Sequence, residues 1–447
     1  MLFKKIDGAS QSTVTSALDL FSTPPTSTAV SSSGYREYLT LNPINSRPFH
    51  FKIHPIVSFI DLSKCYILTE LRIKEVNATG ELVNIDNSGM VGTIQMPGAT
   101  FIKNMLISVN GREIFNSNQL YSYKSYLDTE LSYSTEAKEG YLSALGYHTD
   151  TTHPNDTSVN NKGFKSRADI FASSTTAQFI TNIDADLFNQ DLYLMNNVEI
   201  DIEIMPQTDN FMILQKAGVA VGGVAPTDKK YTYEIVNCRL FVKTLELMDG
   251  LSLELARKLD TEPARYSMRK SMLKSYFITD GRYEYNNNIF TDEVPRRVII
   301  GFVDHDAYNG NVKKSPFDFK NFNIREISIV CSGRTYPQAT YTLDYPNKNY
   351  VRAYHDTQEN LGFAFSSDSN GISYNKFLRG WNIYVFNLTN SMENEPGFEL
   401  IKDGTTSINI KFNDRTPNGG ITMICYGEVD SLLMVDRNRQ ITSDINI

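Results

Sequence analysis

Two stretches of strict alternation set the frame. In "FHFKIH" (49–54), Phe49, Phe51 and Ile53 fall on one side of an extended chain, and His50, Lys52 and His54 on the other. "VEIDIEI" (198–204) repeats the device, with Val198, Ile200, Ile202 and Ile204 apolar and three carboxylates between them. Period-two alternation predicts strands with one buried face. Short apolar runs bounded by turn residues bring the expectation to about eight strands in each half of the chain. Helical periodicity is confined to short pieces, the clearest being "LSLELARKL" (251–259). A parallel α/β sheet needs helices between most strands, so a sandwich or jelly roll is predicted instead.

The runs also recur in order. "LISVNGREI" (106–114) is a strand closed by Asn-Gly and followed by Arg, and "ISIVCSGRTY" (327–336) is a strand closed by Ser-Gly and followed by Arg. "YKSYLDT" (123–129) and "VRAYHDT" (351–357) share the pattern basic, small, Tyr, any, Asp, Thr, and both read as short helices. "VEIDIEI" has its counterpart in "SINIKF" (407–412), and "IVNCRLFVKTLEL" (235–247) in "ITMICYGEVDSLLMV" (421–435). A shared order of weak matches points to tandem duplication. The predicted fold is all-β: two tandem eight-stranded jelly rolls, a double jelly roll, with short helices in loops and between domains. The expected division is a flexible Ser/Thr-rich arm at 1–34, a first jelly roll at 35–248, a helical connector at 249–262 and a second jelly roll at 263–447. The arm is expected because thirteen of the residues 9–33 are Ser or Thr, leaving too few apolar groups to offset ordering entropy.

Composition agrees with strands and loops. The 447 residues are 41% hydrophobic, with 25 Tyr and 25 Phe. The length suits two domains. A net charge of −8 argues against wrapping nucleic acid, and no sequence-specific nucleic acid binding is expected. One basic segment, Ala256 to Lys274, reads as a solvated linker, with a contact to an acidic partner as the sharper alternative. Cys65, Cys238, Cys331 and Cys425 are too widely spaced for a zinc or redox motif. They read as buried free thiols of a reducing compartment. "MLFKKIDGAS" has no signal-peptide apolar block, so secretion by a signal peptide is not expected. No apolar run approaches a membrane span, and no membrane insertion is expected. Sequons at Asn77, Asn155 and Asn387 read as chance.

The chain resembles the double jelly-roll major capsid proteins of Maverick/Polinton elements and adintovirus-like viruses. It does so in "FKIHPIVSFIDLSKCYILTELRI" (51–73), "VNGREIFNSNQLYSYKSYLDTEL" (109–131), "NKGFKSRADI" (161–170), "DLFNQDLYLMNNVEIDIEI" (186–204) with "DNFMIL" (209–214), and "RRVIIGFVDHDAYNGNVKKSPFDFKNFNI" (296–324). These blocks cover most of the chain. One departure is the strand after "YLMNN", often basic in the family and acidic here at Glu199, Asp201 and Glu203. The resemblance implies a homotrimer with six similar lobes, a pseudo-hexagonal capsomer. It further implies contacts with neighbouring capsomers and with penton or minor capsid proteins. The implied place is the virion, assembled in the host cytoplasm or nucleus around a DNA genome.

The residues themselves show no catalytic set and call for no cofactor. "VDHDAYNGN" (303–311) reads mainly as a strand end and turn. Asp304 and Asp306 are weak metal candidates, since positions two apart on a strand share a face at about 6.5–7 Å. The spacing does not match a calcium loop, and His305 between them would point the other way, away from a catalytic pairing. His50 and His54 lie about 13 Å apart along a strand, too far for one ion. His148 and His153 fall in a polar loop expected at the surface. "VGGVAPTDKK" (221–230) lacks the ending of a phosphate loop, no Gly-x-Ser-x-Gly occurs, and Trp381 reads as packing. Tyr123, Tyr126, Tyr350 and Tyr354 are the candidate interface residues, because aromatic anchors with polar tips suit interfaces; packing onto their own sandwich is the alternative. Two other functions fit an all-β chain: a carbohydrate-binding β-sandwich, and a domesticated capsid-derived cellular protein.

Overall fold

The structure is a computed structural model, and it describes residues 4–5, 7–85, 91–216, 229–389, 398 and 403–443. Two sandwiches follow one another. The strands of the first are β1 (Val30–Leu39), β2 (Phe49–Ile53), β3 (Phe59–Val76), β4 (Ile102–Val109), β5 (Arg112–Asn116), β6 (Ala177–Asn182), β7 (Ile200–Pro206) and β8 (Lys230–Leu247). Those of the second are β9 (Ala264–Ile278), β10 (Glu284–Phe290), β11 (Arg297–Asp304), β12 (Ile324–Cys331), β13 (Arg334–Tyr336), β14 (Ile383–Asn387), β15 (Thr406–Phe412) and β16 (Ile421–Val435). Short three-residue pairings decorate this frame at 82–84, 91–93 with 213–215, and 441–443.

The sheet orders identify the topology. In the first lobe β1-β8-β3-β6 faces β2-β7-β4-β5, and in the second β9-β16-β11-β14 faces β10-β15-β12-β13. Each strand number in one lobe plus eight gives its counterpart in the other. The pairings between these strands are antiparallel, and the order within each pair of sheets is that of a jelly roll. The four recurring sequence blocks sit at matching places: the β4–β5 and β12–β13 hairpins, the helix after each hairpin, β7 with β15, and β8 with β16.

The hairpins show how locally the duplication is written. Val109 pairs with Arg112 and Cys331 with Arg334, which leaves two-residue loops. Asn110-Gly111 have φ of 48° and 76°, and Ser332-Gly333 have φ of 49° and 76°. Positive φ at both central residues is what a type I′ turn requires, and it matches the strand twist.

Alternation decides which face is buried. Phe49, Phe51 and Ile53 are buried, as are Ile200, Ile202 and Ile204 opposite them. The acidic residues between them lie on the outer face, where Glu199 and Asp201 meet Lys52. The basic segment is corrected by the same logic. Rather than a solvated linker, Ala264–Ile278 is strand β9, because Tyr266 and Met268 alternate with Arg265, Ser267 and Arg269 and are buried. Strand pairing in the first lobe starts at Val30, inside the Ser-rich tract, with Ser32 and Ser33 in register with Glu246 and Leu245.

Four helices shape the junction between the lobes and their outer surfaces: α1 (Tyr121–Ser132), α2 (Lys162–Ile170), α3 (Asp249–Leu259) and α4 (Val351–Asn360). α3 joins the lobes at the segment with the clearest helical periodicity. α1 and α4 occupy equivalent places, each between the hairpin of its lobe and the next strand.

Candidate functional site

The chemistry-bearing side chains gather in the seam between the lobes. α1 of the first lobe lies against the outer face of the β9-β16-β11-β14 sheet of the second. Tyr126 stacks on Phe317 with ring centroids 4.2 Å apart and planes 2° from parallel. Tyr123 meets Phe317 edge-on at 5.6 Å and Tyr308 in a stack at 5.8 Å. Phe319 lies behind both rings and covers Gly301. A Cβ at Gly301 would run into the Phe319 ring, so the glycine is required by close approach.

Beside this aromatic seam is a buried ionic node. Lys124 is 1% exposed, and its Nζ donates to Asp184 at 2.5 Å and Asp128 at 2.7 Å. From the second lobe, the Tyr426 hydroxyl donates to Asp128 at 3.3 Å, and its ring faces the Lys124 ammonium. Asp186 accepts from the Ser271 amide and hydroxyl, at 3.0 and 2.7 Å. Burial alone would depress the Lys124 ammonium, but Asp128 and Asp184 outweigh it and hold its pKa well above the ordinary value. Burial works against Lys124 at Asp128, and with the charge of Asp184 it pushes that carboxyl up to about 8. At Asp184, burial is overcome by Lys124, which keeps the carboxyl below its usual range. The node opens onto a cleft of about 1,010 Å³ lined by both lobes, with Arg269, Glu428 and Asp430 on its far wall.

Two clasps close the seam at its ends. The polar loop expected at the surface reaches across: Asn155 donates to Asp318 at 2.5 Å and accepts from the Ser315 amide at 2.6 Å. His153 Nε2 lies 3.2 Å from Asp318. The same loop is tied to its own lobe by Arg167 of α2, which is buried and donates to Asp150 at 2.9 Å and to the carbonyls of Thr93 and His148. Burial and the Arg167 charge lower the pKa of His148. At the other end Arg439 donates to Asn196 twice, at 2.9 and 2.8 Å, and Arg112 to the Ile441 carbonyl at 2.7 Å.

The four candidate interface tyrosines are placed inside the chain. Tyr123 and Tyr126 are buried between lobes. Tyr350 is buried in its own lobe, stacked on Tyr345 and Tyr374. Tyr354 keeps partial exposure and packs against Tyr374 and Phe377. For Tyr123 and Tyr126 the cover is a second lobe of the same chain, and for Tyr350 and Tyr354 it is the alternative, packing onto their own sandwich. Sequence reasoning misses Lys124, Asn155, Arg167 and Asp318, each of which has at least one partner 60 or more residues away along the chain.

The Asp304-His305-Asp306 cluster is divided among neighbours. β11 stops at Asp304 and a single helical turn runs over His305–Asn309. Asp304 binds Lys320 at 2.6 Å and Lys314 at 3.2 Å, and Asp306 binds Lys314 at 2.9 Å. Despite partial burial, Lys314 holds the Asp306 carboxyl below its usual range. His305 is bracketed by the Thr422 hydroxyl and the Asn309 amide, both at 2.9 Å. The Lys314 ammonium thus stands between the two carboxylates, where an ion would have to sit. Among the described residues, no three His, Cys, Asp or Glu side chains come together as a metal site, and no helix is long and apolar enough to cross a membrane. The four cysteines are buried and free, and Trp381 is buried. His50 and His54 are exposed. Residues 221–228 of the glycine-rich run lie outside the described residues.

No family model matches the chain. An uncharacterized protein of Caenorhabditis elegans is 29% identical over 388 residues, covering 85% of this chain and 88% of that protein. A chain of the Sputnik virophage structure superposes with a TM-score of 0.68 at 11% identity, covering 100% of this chain and 95% of that one. The mavirus major capsid protein superposes with a TM-score of 0.53 at 12% identity, covering 100% and 97%. The fold is that of double jelly-roll capsid proteins. The match covers the whole of this chain, both sandwiches included.

Proposed function

We propose that the chain is a structural, non-enzymatic major capsid protein. Three copies make a pseudo-hexagonal capsomer, and capsomers with penton and minor capsid proteins form an icosahedral shell around a DNA genome. The division into an arm, two jelly rolls and a connector (249–262) belongs to this reading, with the first jelly roll beginning at Val30 where β1 starts rather than at 35, as does a kinship with Maverick/Polinton elements. The observation that supports it is the equivalence of the two lobes: two copies of one sandwich, packed side by side in one chain, are what each member of a six-lobed ring of three chains would supply. The virion is the place this assigns to the protein. The test is purified full-length protein in light scattering and negative-stain microscopy. A three-chain species and hexagonal capsomers are the expected result, and a strict monomer at high concentration overturns the proposal.

A further inference from the structure

Arg269 is a cation without an anion. It stands on the outer face of β9 between Ser267 and Ser271, and opens on the cleft beside the ionic node. The carboxylates around it are engaged elsewhere. Asp430 binds Arg296 at 3.2 Å, Glu428 lies 3.9 Å from Arg297, and Asp128 and Asp184 hold Lys124. Among the described residues, no carboxylate pairs with the Arg269 guanidinium. Partial burial, and after it the charge of Arg296, lower its pKa, as expected of a cation that lacks a partner.

The first-lobe wall of the cleft offers groups of another kind. Tyr141 and Tyr133 line it at 67% and 43% exposure. Asn182 at the end of β6 and Asp191 beyond it are exposed on the same cleft, and among the described residues their side chains have no hydrogen-bond partner. Two exposed rings, an amide, a carboxylate and one unpaired guanidinium thus share a space of about 1,010 Å³. Small-ligand sites commonly enclose about 300–1,000 Å³, with a few polar groups that fix orientation. A pyranose matches this set. Its C–H face lies flat on an aromatic ring, and its hydroxyls donate to a carboxylate and accept from an amide. A carboxylate on the sugar forms the two-pronged pair that a guanidinium favours. A polyanion is disfavoured, because Asp184, Asp186 and Asp191 line the same space and one unpaired cation does not offset their repulsion.

We infer that the seam cleft binds a saccharide carrying a single carboxylate, a sialic or uronic acid, with Arg269 on the carboxylate and Tyr133 and Tyr141 against the sugar ring. The acidic partner that the basic stretch Ala256 to Lys274 suggests is thereby given a place and a chemistry. The inference goes beyond the capsid reading and does not rest on it, since binding is counted per chain whatever the number of chains in the particle.

The experiment titrates full-length protein with sialyllactose, with a glucuronic acid disaccharide and with lactose, and reads the heat of binding. One carboxylated sugar should bind at least about tenfold more tightly than lactose, the size of one charge-assisted pair, and which one does so separates the two sources. Arg269→Gln should bring that sugar down to the lactose level. Tyr141→Ala should weaken it at least about tenfold by removing the ring that it lies on. Both positions are exposed, and a thermal melt verifies folding. If neither carboxylated sugar binds the parent at millimolar concentration, or if binding survives both substitutions, the assignment is overturned. A Glu-rich peptide that binds more tightly than either sugar, and loses its affinity with Arg269→Gln, would make the cleft a protein contact and overturn the saccharide. None of these results alters the capsomer reading, which molar mass decides.

Discussion

Lys124 and Arg352 stand at the same place in two helices that fold alike. One is buried under another lobe with two carboxylate partners, and the other lies half in solvent beside Asp356 at 3.8 Å. Identical local patterns therefore have very different energetic weight, and the neighbour decides it. A pair in solvent is screened and gains little. A buried pair becomes structural, because removing one member strands the other without water.

The sharpest way to break this comparison is to delete the buried cation. Lys124→Met leaves Asp184 and Asp128 facing each other in the seam. A loss of about 3–5 kcal/mol is expected in chemical denaturation. A companion substitution removes packing alone: Phe317→Ala takes away the ring that stacks on Tyr126 and should cost about 3–5 kcal/mol by the cavity it leaves. If either variant melts like the parent, the seam is not what joins the lobes.

The same residues show how much of the molecule is legible in its sequence. The Asn110-Gly111 and Ser332-Gly333 turns are readable because a two-residue hairpin carries its requirement in its own dipeptide. The strand faces are readable because alternation is local. Tyr123 and Tyr126 are recognisable as anchors, but nothing nearby in the chain says whether their cover is a second lobe or a second subunit. Lys124 looks like a solvated charge for the same reason. Asn155 and Asp318 are 163 residues apart, and a polar loop has no periodicity to show that it crosses a seam. The basic stretch around Arg269 misleads when its charges are counted before their alternation with Tyr266 and Met268 is weighed.

Smaller effects sharpen the picture. Gly301→Ala puts a methyl group into the Phe319 ring, and overpacking of about 1–3 kcal/mol is expected. A thermal melt checks it, and an unchanged midpoint would mean that Phe319 can swing away from the sheet.

The ionic node also predicts a pH dependence. Asp128 holds its proton in the folded state up to about 8, whereas an unfolded aspartate releases it near about 4. Between those values the folded chain binds more protons than the unfolded one, so stability falls as pH rises through the window. The slope from one such group is at most about 1.4 kcal/mol per pH unit. Asp184 acts in the opposite sense: its lowered pKa adds stability that is lost as pH falls below the ordinary aspartate value. Asp128→Asn should flatten the decline above pH about 4. Denaturation series at several pH values measure both limbs, and an unaltered slope in the variant would place the proton elsewhere.

The smallest effect concerns the helix left bare. Arg352→Met removes a cation whose side chain is nearly half exposed and whose carboxylate partner is not held by a second lobe. In the isolated chain it should change stability by no more than about 1 kcal/mol. That is the opposite extreme from Lys124, although the two positions match in sequence. Under association the two should converge. If α4 is covered by a second copy as α1 is covered by the second lobe, Arg352→Met will weaken assembly far more than it weakens folding. Melting the variant at concentrations below and above the onset of association separates the two terms. A substitution that is silent in both regimes would mean that the second helix stays in solvent and that the resemblance between the lobes stops at the fold.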